Sequence, residues 1–293
     1  MSDEKNEKKV EIKLCEFFDE HWYRVCLSDY STDYYPSVTT KLSIIDKPGL
    51  RRWYASLGER EARKRTTEAA DRGSRIHHAA QVMAQGGAVI YQPIRHPNYD
   101  GDELFKLKKK YKDLYILEHQ DEMLDVWKIK QFFAKVKPLI IGTEVIVYSV
   151  TNKEAGTIDL IFRIKEDCEI DGVNKEPLKL EKGIYIGDYK SGNLYDEARM
   201  QVSAYGAMLV EMSAEYKREI KGALLIHTGS KSRTGIPGLD VIKLTLEEMR
   251  KEYVDFRHTA AMWERKNKMA MPKMLEFPSL LTVGEDSEKE SGK

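Results

Sequence analysis

Cysteine is scarce in this 293-residue chain, and no long apolar run interrupts it. Cys15, Cys26 and Cys168 lie far apart without a CxxC spacing, which argues against a disulfide framework, a four-cysteine zinc site or an iron–sulfur cluster. The longest apolar region, residues 139–150, is broken by polar residues, so we expect no membrane span and no membrane partner. Together with the absence of a signal-like apolar start, these features predict a protein of the reducing cytoplasm.

Neither sign of charge dominates the composition. The chain has 48 basic and 48 acidic residues, so its net charge neither indicates nor excludes nucleic-acid binding, which depends on the local field. The charge is nevertheless unevenly spread, because residues 41–75 contain ten Lys or Arg against five Asp or Glu, and residues 106–112 read KLKKKYK. No GxxxxGK[ST] phosphate loop is present, so we expect no nucleotide-driven motor.

The apolar periodicity predicts an α/β fold with one core. Three stretches rich in Ile, Val and Tyr have the two-residue period of strands, and helical spacing precedes and follows them. The predicted order is α-β-β-β-α-β, over residues 74–85, 139–150, 155–164, 182–192, 196–212 and 221–229.

Helical additions are expected on both sides of this core, with a weak strand near 239–243 before the last helix. We predict a single domain with a charged, disordered tail at each end. Its parts are a tail at 1–10, a domain at 11–283, a helical N-terminal part at 34–137, a catalytic core at 73–86 plus 139–228, a C-terminal helix at 245–268 and a tail at 284–293.

The strand at 182–192 carries an acid between two apolar faces. Asp188 and Lys190 follow two isoleucines on one face, whereas Tyr185 and Tyr189 point to the other face. A strand covered on both sides lies inside a sheet, where an unpaired carboxylate costs roughly several kcal/mol. Asp188 therefore needs a partner, which is either Lys190 in a same-face ion pair or a metal ion.

Two more acids lie on the preceding predicted strands, Asp159 on the nearer and Glu144 on the farther. Neighbouring strands are about 4.8 Å apart, so three carboxylates there would repel one another unless a divalent cation lay among them. Carboxylate oxygens suit Mg²⁺ or Mn²⁺, ions that hold phosphates and polarise water for attack on phosphorus. The pattern favours a metal-dependent phosphodiester chemistry.

Four short motifs follow one another along the chain. They are Gly73-Ser-Arg-Ile-His77 for GxxxH, Gly-Thr-Ile-Asp159 for the first acid, Asp188-Tyr189-Lys190 for (D/E)-x-K and Gln201-x-x-x-Tyr205 for QxxxY. In type and order they resemble the motifs of the RecB-like branch of the PD-(D/E)XK nuclease superfamily. That branch includes RecB nuclease domains, CRISPR-associated RecB-like exonucleases and the mitochondrial genome maintenance exonuclease, and the likeness covers about residues 34–228.

The resemblance implies a restriction-endonuclease-like core, a mixed sheet flanked by helices, with a Mg²⁺ or Mn²⁺ ion. His77, Asp159, Asp188 and the main-chain carbonyl of Tyr189 would bind the metal. Lys190 would position or activate the attacking water and stabilise the developing negative charge. No iron–sulfur cluster is implied, because the cysteines that hold one in many CRISPR-associated relatives are absent.

The same resemblance places Gln201 and Tyr205 near the DNA, the first as a hydrogen-bonding residue and the second as a stacking or phosphate contact. Because they lie four residues apart on one helical face, a packing role is equally open. Arg75, in the basic stretch, is a further predicted DNA contact. For Glu144 two alternatives stay open: a direct or water-mediated contact with the metal, or no contact with it.

The function implied is hydrolysis of DNA, preferentially by an exonuclease acting on single-stranded or frayed ends. The basic segments 41–75 and 106–112 would line a channel that admits an end, with aromatic residues stacking on bases. The alternatives are a noncatalytic nucleic-acid-binding protein that retains the fold and a structure-specific endonuclease. Protein partners would belong to recombination, repair or phage DNA processing. The aromatic candidates are Trp53, Tyr54, Tyr111 and Tyr115.

Overall fold

The computed structural model describes residues 10–17, 20–26, 31–229 and 238–272. Its strands are β1 (Glu11–Phe17), β2 (Glu20–Cys26), β3 (Thr32–Pro36), β4 (Ala88–Tyr91), β5 (Leu114–Leu117), β6 (Leu139–Ser149), β7 (Glu154–Ile164), β8 (Cys168–Asp171), β9 (Pro177–Leu180), β10 (Gly183–Lys190), β11 (Ile220–His227) and β12 (Asp240–Thr245). Its α-helices are α1 (Val38–Leu42), α2 (Pro48–Leu57), α3 (Glu59–Ala84), α4 (Gly101–Lys110), α5 (Gln120–Val136), α6 (Glu197–Met212), α7 (Ala214–Glu219) and α8 (Leu246–Lys266).

A mixed five-stranded sheet forms the centre, in the order β12-β11-β10-β7-β6. Strand β7 runs antiparallel to β6 on one side and to β10 on the other. Strand β11 returns parallel to β10 after α6, and β12 adds an antiparallel edge. The predicted α/β class, with a mixed sheet flanked by helices, is confirmed.

The helices cover both faces of this sheet. One core joins α6 and α8, through Val202 and Phe256, to the isoleucines of β10. The other joins α3 and α5, through Ile76 and Phe132, to the tyrosines of β10. The strand is therefore apolar on both faces, as its sequence predicts, and its carboxyl end carries Asp188 inside the protein.

The predicted helical N-terminal addition needs correction. Strands β1, β2 and β3 form an antiparallel sheet before α1, and the short strands β4 and β5 pair between α3 and α5. Charged and apolar residues alternate along most of β1, and the first sheet is held by long-range packing of Tyr23, Val25 and Tyr35 on Ala155. Helices do fill much of the region that follows, and α3 continues without a break through Gly73.

The ends of the chain lie largely outside the described residues, so the predicted tails at 1–10 and 284–293 are described only at Val10. Helix α8 occupies most of the predicted range 245–268 and begins with a capping box formed by Thr245 and Glu248. None of the described helices has both the length and the apolar character needed to cross a bilayer.

Candidate metal centre

Helix α3 brings a histidine to the middle of the sheet. Ile76, Ala79 and Ala80 are fully buried and fix the face that α3 packs on the sheet. His77 Nδ1 consequently lies 3.3 Å from Asp159 Oδ2 of β7. The ring also meets Tyr189 edge-on, at 5.7 Å between ring centroids. The GxxxH histidine and the first acid of the sequence pattern are thus direct neighbours.

Glu144 of β6 completes a group of three potential ligands. His77, Glu144 and Asp159, here called the trio, each offer one ligand atom within 4.8 Å of the others. Glu144 has a φ of 50°, a left-handed conformation inside a strand that costs roughly 1 kcal/mol or more for a residue other than glycine. Two carboxylates and an imidazole form a donor set that suits Mn²⁺ or Mg²⁺.

Asp159 is held by the main chain of the neighbouring strand. The β7–β10 ladder runs as far as the pair of Leu160 with Gly187, and beyond it the N–H of Tyr189 donates to Asp159 Oδ2 at 2.8 Å. Burial opposes ionisation of Asp159, but the charge and hydrogen bond of His77, the charge of Lys190 and the Tyr189 N–H together lower its pKa. The carboxylate is therefore ionised and fixed.

Asp188 and Lys190 form the same-face ion pair that their spacing allows. Lys190 Nζ lies 2.8 Å from Asp188 Oδ2, so the ammonium is the partner of this buried carboxylate. Burial raises the pKa of Asp188, the charge of Lys190 opposes the rise, and Asp159 adds to it. Asp188 is not part of the trio, so its predicted sharing of one metal with Asp159 stays a prediction.

The His77 imidazole of the trio is protonated, whereas a metal ion would need a lone pair on its ring nitrogen. Desolvation lowers the pKa of His77, but the charge and hydrogen bond of Asp159 outweigh it and raise that pKa to about 9. Desolvation, together with the Asp159 charge, raises the pKa of Glu144 to about 7, although its side chain is open to solvent on one side. Metal ligands must be deprotonated, so a cation bound here would release the His77 proton.

Lys190 is oriented by a buried polar chain from α6. Lys190 Nζ donates to Gln201 Oε1 at 3.2 Å, and Gln201 Nε2 donates to the Tyr205 hydroxyl at 2.8 Å. Tyr205 is only 4% exposed, so its ring has almost no surface on which a base could stack. The structure places the QxxxY pair behind the lysine, where its contacts favour the packing alternative over direct DNA contact.

Sequence reasoning missed the residues that support this chain from β7. A Cβ atom on Gly156 would overlap the Tyr205 ring, so the glycine makes room for the tyrosine. Thr157 Oγ1 shares a 2.8 Å hydrogen bond with the hydroxyl of Tyr23, which comes from the N-terminal sheet. Gly156 was visible only as the first residue of a motif, and nothing in the local sequence links Tyr23 to this strand.

Gly156→Ala should therefore disturb Tyr205 and, through Gln201, the lysine. We expect a loss of about 1–3 kcal/mol in the free energy of unfolding, because the added methyl overpacks the core. Urea unfolding followed by circular dichroism measures it. Gly49→Ala is the matched control, since no atom lies within 4 Å of its added Cβ and it should cost nothing. An equally stable Gly156→Ala variant would contradict the tight packing.

Arg75 lies away from the trio and is already engaged. Its guanidinium donates to both carboxylate oxygens of Glu122, at 2.7 and 3.0 Å for Glu122 Oε1 and 3.2 Å for Glu122 Oε2, and so ties α3 to α5. Arg72 of the same stretch likewise pairs with an acid outside it, Asp121. These outside acids offset part of the positive excess that the sequence predicts for residues 41–75.

The aromatic candidates separate into two places. Trp53 and Tyr54 meet edge-on in α2 at 5.5 Å, and the Tyr54 hydroxyl bonds Thr66 in α3. Tyr111 and Tyr115 instead line a cleft beside the C-terminal half of α3.

No protein-family model matches this chain, and no curated protein matches it either.

Proposed function

We propose that the protein is a metal-dependent nuclease that hydrolyses DNA phosphodiesters on a restriction-endonuclease-like core. One observation carries the proposal: an imidazole and two carboxylates converge at the sheet, and a buried Asp188–Lys190 pair lies beside them. The motif order in the sequence agrees with this function. Purely structural ion pairs do not require a strained glutamate at the same point.

The residues have distinct roles in the proposed reaction. A divalent ion, when bound, would supply Lewis-acid polarisation of the phosphodiester and activation of water. His77, Glu144 and Asp159 would hold it, and the Asp188–Lys190 ion pair would lie beside it. Lys190 would donate to the developing negative charge from a position fixed by Gln201. Because hydrogen bonds or an ion pair hold Asp159, Asp188 and Lys190, little reorganisation of these three groups would accompany the reaction.

The reaction is proposed to be exonucleolytic, with a preference for single-stranded or frayed ends. The test is a time course on linear single-stranded DNA labelled at either end and on closed circular single-stranded DNA, each with Mg²⁺, Mn²⁺ or EDTA. We expect cleavage of the linear substrate only, and only with metal. Cutting of circular DNA would favour a structure-specific endonuclease. Undiminished turnover in EDTA would show that hydrolysis does not require a metal ion. Proteins of recombination, repair or phage DNA processing in the cytoplasm are the partners proposed.

A noncatalytic nucleic-acid-binding protein is the second candidate. It is favoured by the two ion pairs His77–Asp159 and Lys190–Asp188, which leave the buried acids compensated without any metal. Addition of Mn²⁺ to the DNA complex distinguishes the two functions. Binding without cleavage would support the second candidate.

Removal of the central ligand should weaken metal binding. We expect Asp159→Asn to weaken Mn²⁺ binding at least about tenfold, because a neutral amide replaces the anion that both His77 and Tyr189 contact. Isothermal titration calorimetry measures the affinity directly. Asp171→Asn is the control, since Asp171 forms a surface pair with Lys135 and should leave Mn²⁺ binding unchanged. Equal affinities of Asp159→Asn and wild type would remove the trio as the metal site.

A further inference from the structure

A cleft of about 510 Å³ opens between α3 and the end of α4. We call it the α3–α4 cleft. It lies in the segment between α3 and β6, which the order α-β-β-β-α-β does not require. Its lining includes His78, Gln81, Lys108, Tyr111, Lys112 and Tyr115.

The cleft adjoins the trio along two elements. His78 follows the trio histidine on α3, and Gln85, about 12 Å further along the helix, closes the far end. Gln85 Nε2 donates to Thr143 Oγ1 at 2.8 Å, and Thr143 directly precedes the trio residue Glu144 on β6. The cleft and the trio are therefore linked through α3 and β6.

The lining combines cations with aromatic surfaces. Lys108 and Lys112 are exposed, and within the described part of the chain neither forms an ion pair, while Asp113 is the acid in the lining. Tyr111 and Tyr115 are half-buried, and the Tyr115 ring is fixed edge-on against His78 at 4.6 Å between centroids. Cations for phosphates and aromatic rings for bases are the combination that binds single-stranded nucleic acid without sequence preference.

We infer that the α3–α4 cleft binds the single-stranded DNA next to the phosphodiester that is cut. The inference rests on the proposed function for the nature of the ligand. It assigns phosphate contacts to Lys108 and Lys112 and stacking surfaces to the two tyrosines. The cleft thereby favours a single strand over a duplex, whose bases have no exposed faces to stack.

The experiment measures binding without cleavage. Fluorescence anisotropy of a labelled oligothymidylate is recorded in EDTA over a range of salt concentrations for wild type and for Lys108→Ser with Lys112→Ser. We expect about tenfold weaker binding and a salt slope less steep by about 1.4, since each phosphate contact contributes about 0.7. The control is Lys217→Ser with Lys221→Ser. It removes two exposed lysines with the same spacing near Gly183, at the opposite end of β10 from Lys190, and should leave both values unchanged.

The outcomes distinguish a failure of the inference about the cleft from a failure of the proposed nuclease function. Wild-type affinity in the cleft variant, equal losses in both double variants, or no binding by the wild type would each overturn the inference. Hydrolysis of bis(4-nitrophenyl) phosphate with Mn²⁺, a substrate too small to reach the cleft lysines, is expected to be equal in the cleft variant and wild type. If the wild type hydrolyses nothing yet the cleft variant alone loses DNA binding, the nuclease proposal fails and the cleft stands.

Discussion

Replacement of Lys190 with methionine is expected to slow cleavage of single-stranded DNA by about 10²–10³-fold, the usual cost of removing one donor to developing charge. Lys190 Nζ is fixed between Asp188 Oδ2 at 2.8 Å and Gln201 Oε1 at 3.2 Å. Burial opposes its ionisation, but the charges of Asp188 and Asp159 outweigh burial and raise its pKa. The group is therefore an ammonium, and its role is electrostatic. Single-turnover cleavage of an end-labelled oligonucleotide with saturating Mn²⁺ measures the loss.

The variant also leaves Asp188 buried without a cation, so stability must be measured beside activity. Arg199→Met is the matched control on the same helix as Gln201. Its guanidinium bonds Glu252 at 2.7 Å and Glu248 at 3.3 Å, so this change likewise breaks ion pairs with acids. Both variants should lose stability, and only Lys190→Met should lose cleavage. Full activity of Lys190→Met would contradict the catalytic role of Lys190. Equal losses of cleavage in Lys190→Met and Arg199→Met would point to a general disturbance of α6.

The central sheet could be predicted because the two-residue period of its strands is visible in the local sequence. In β10 the isoleucines enter one core and the tyrosines the other, so alternation alone indicated an interior strand. In the N-terminal sheet, β1 also alternates charged and apolar residues, but nothing in the local sequence shows what its apolar face packs on. The core residues Tyr23 and Tyr35 become buried by packing on Ala155, more than a hundred residues away in the chain. Periodicity reports local order and contains no information about such a contact.

The candidate site, too, could be predicted only in part from the sequence. The sequence indicated acids on neighbouring strands, and only the family resemblance named His77, which the structure places 3.3 Å from Asp159. It did not indicate that Glu144, rather than Asp188, would join the trio, because this depends on a left-handed kink in β6. Nor did it show that Tyr205 would be buried, since a helical spacing of four places two residues on one face without saying which face is covered.

A second buried ion cluster is expected to dominate stability. Lys41, in α1, is 1% exposed, and its ammonium uses all three donors, on Glu154 Oε2 at 2.9 Å, Glu264 Oε1 at 2.7 Å and the Asn152 carbonyl at 3.3 Å. Glu154, fully buried in β7, also accepts from Arg257 at 2.7 Å. Lys41→Met should lower the free energy of unfolding by about 3–5 kcal/mol, because it leaves a buried carboxylate with half its compensation.

Two comparisons show whether burial is the cause. Lys153→Met breaks a pair of similar length, 2.7 Å to Asp33, in which the lysine is 67% exposed, and should cost less than about 1 kcal/mol. Lys41→Met with Glu154→Leu removes both buried charges and should be more stable than Lys41→Met alone, since no carboxylate is then left uncompensated. Urea unfolding followed by circular dichroism gives all three values. A cost for Lys41→Met no larger than that for Lys153→Met would mean that water reaches Glu154, and the cluster would then not fasten α1 and α8 to the sheet that carries Asp159.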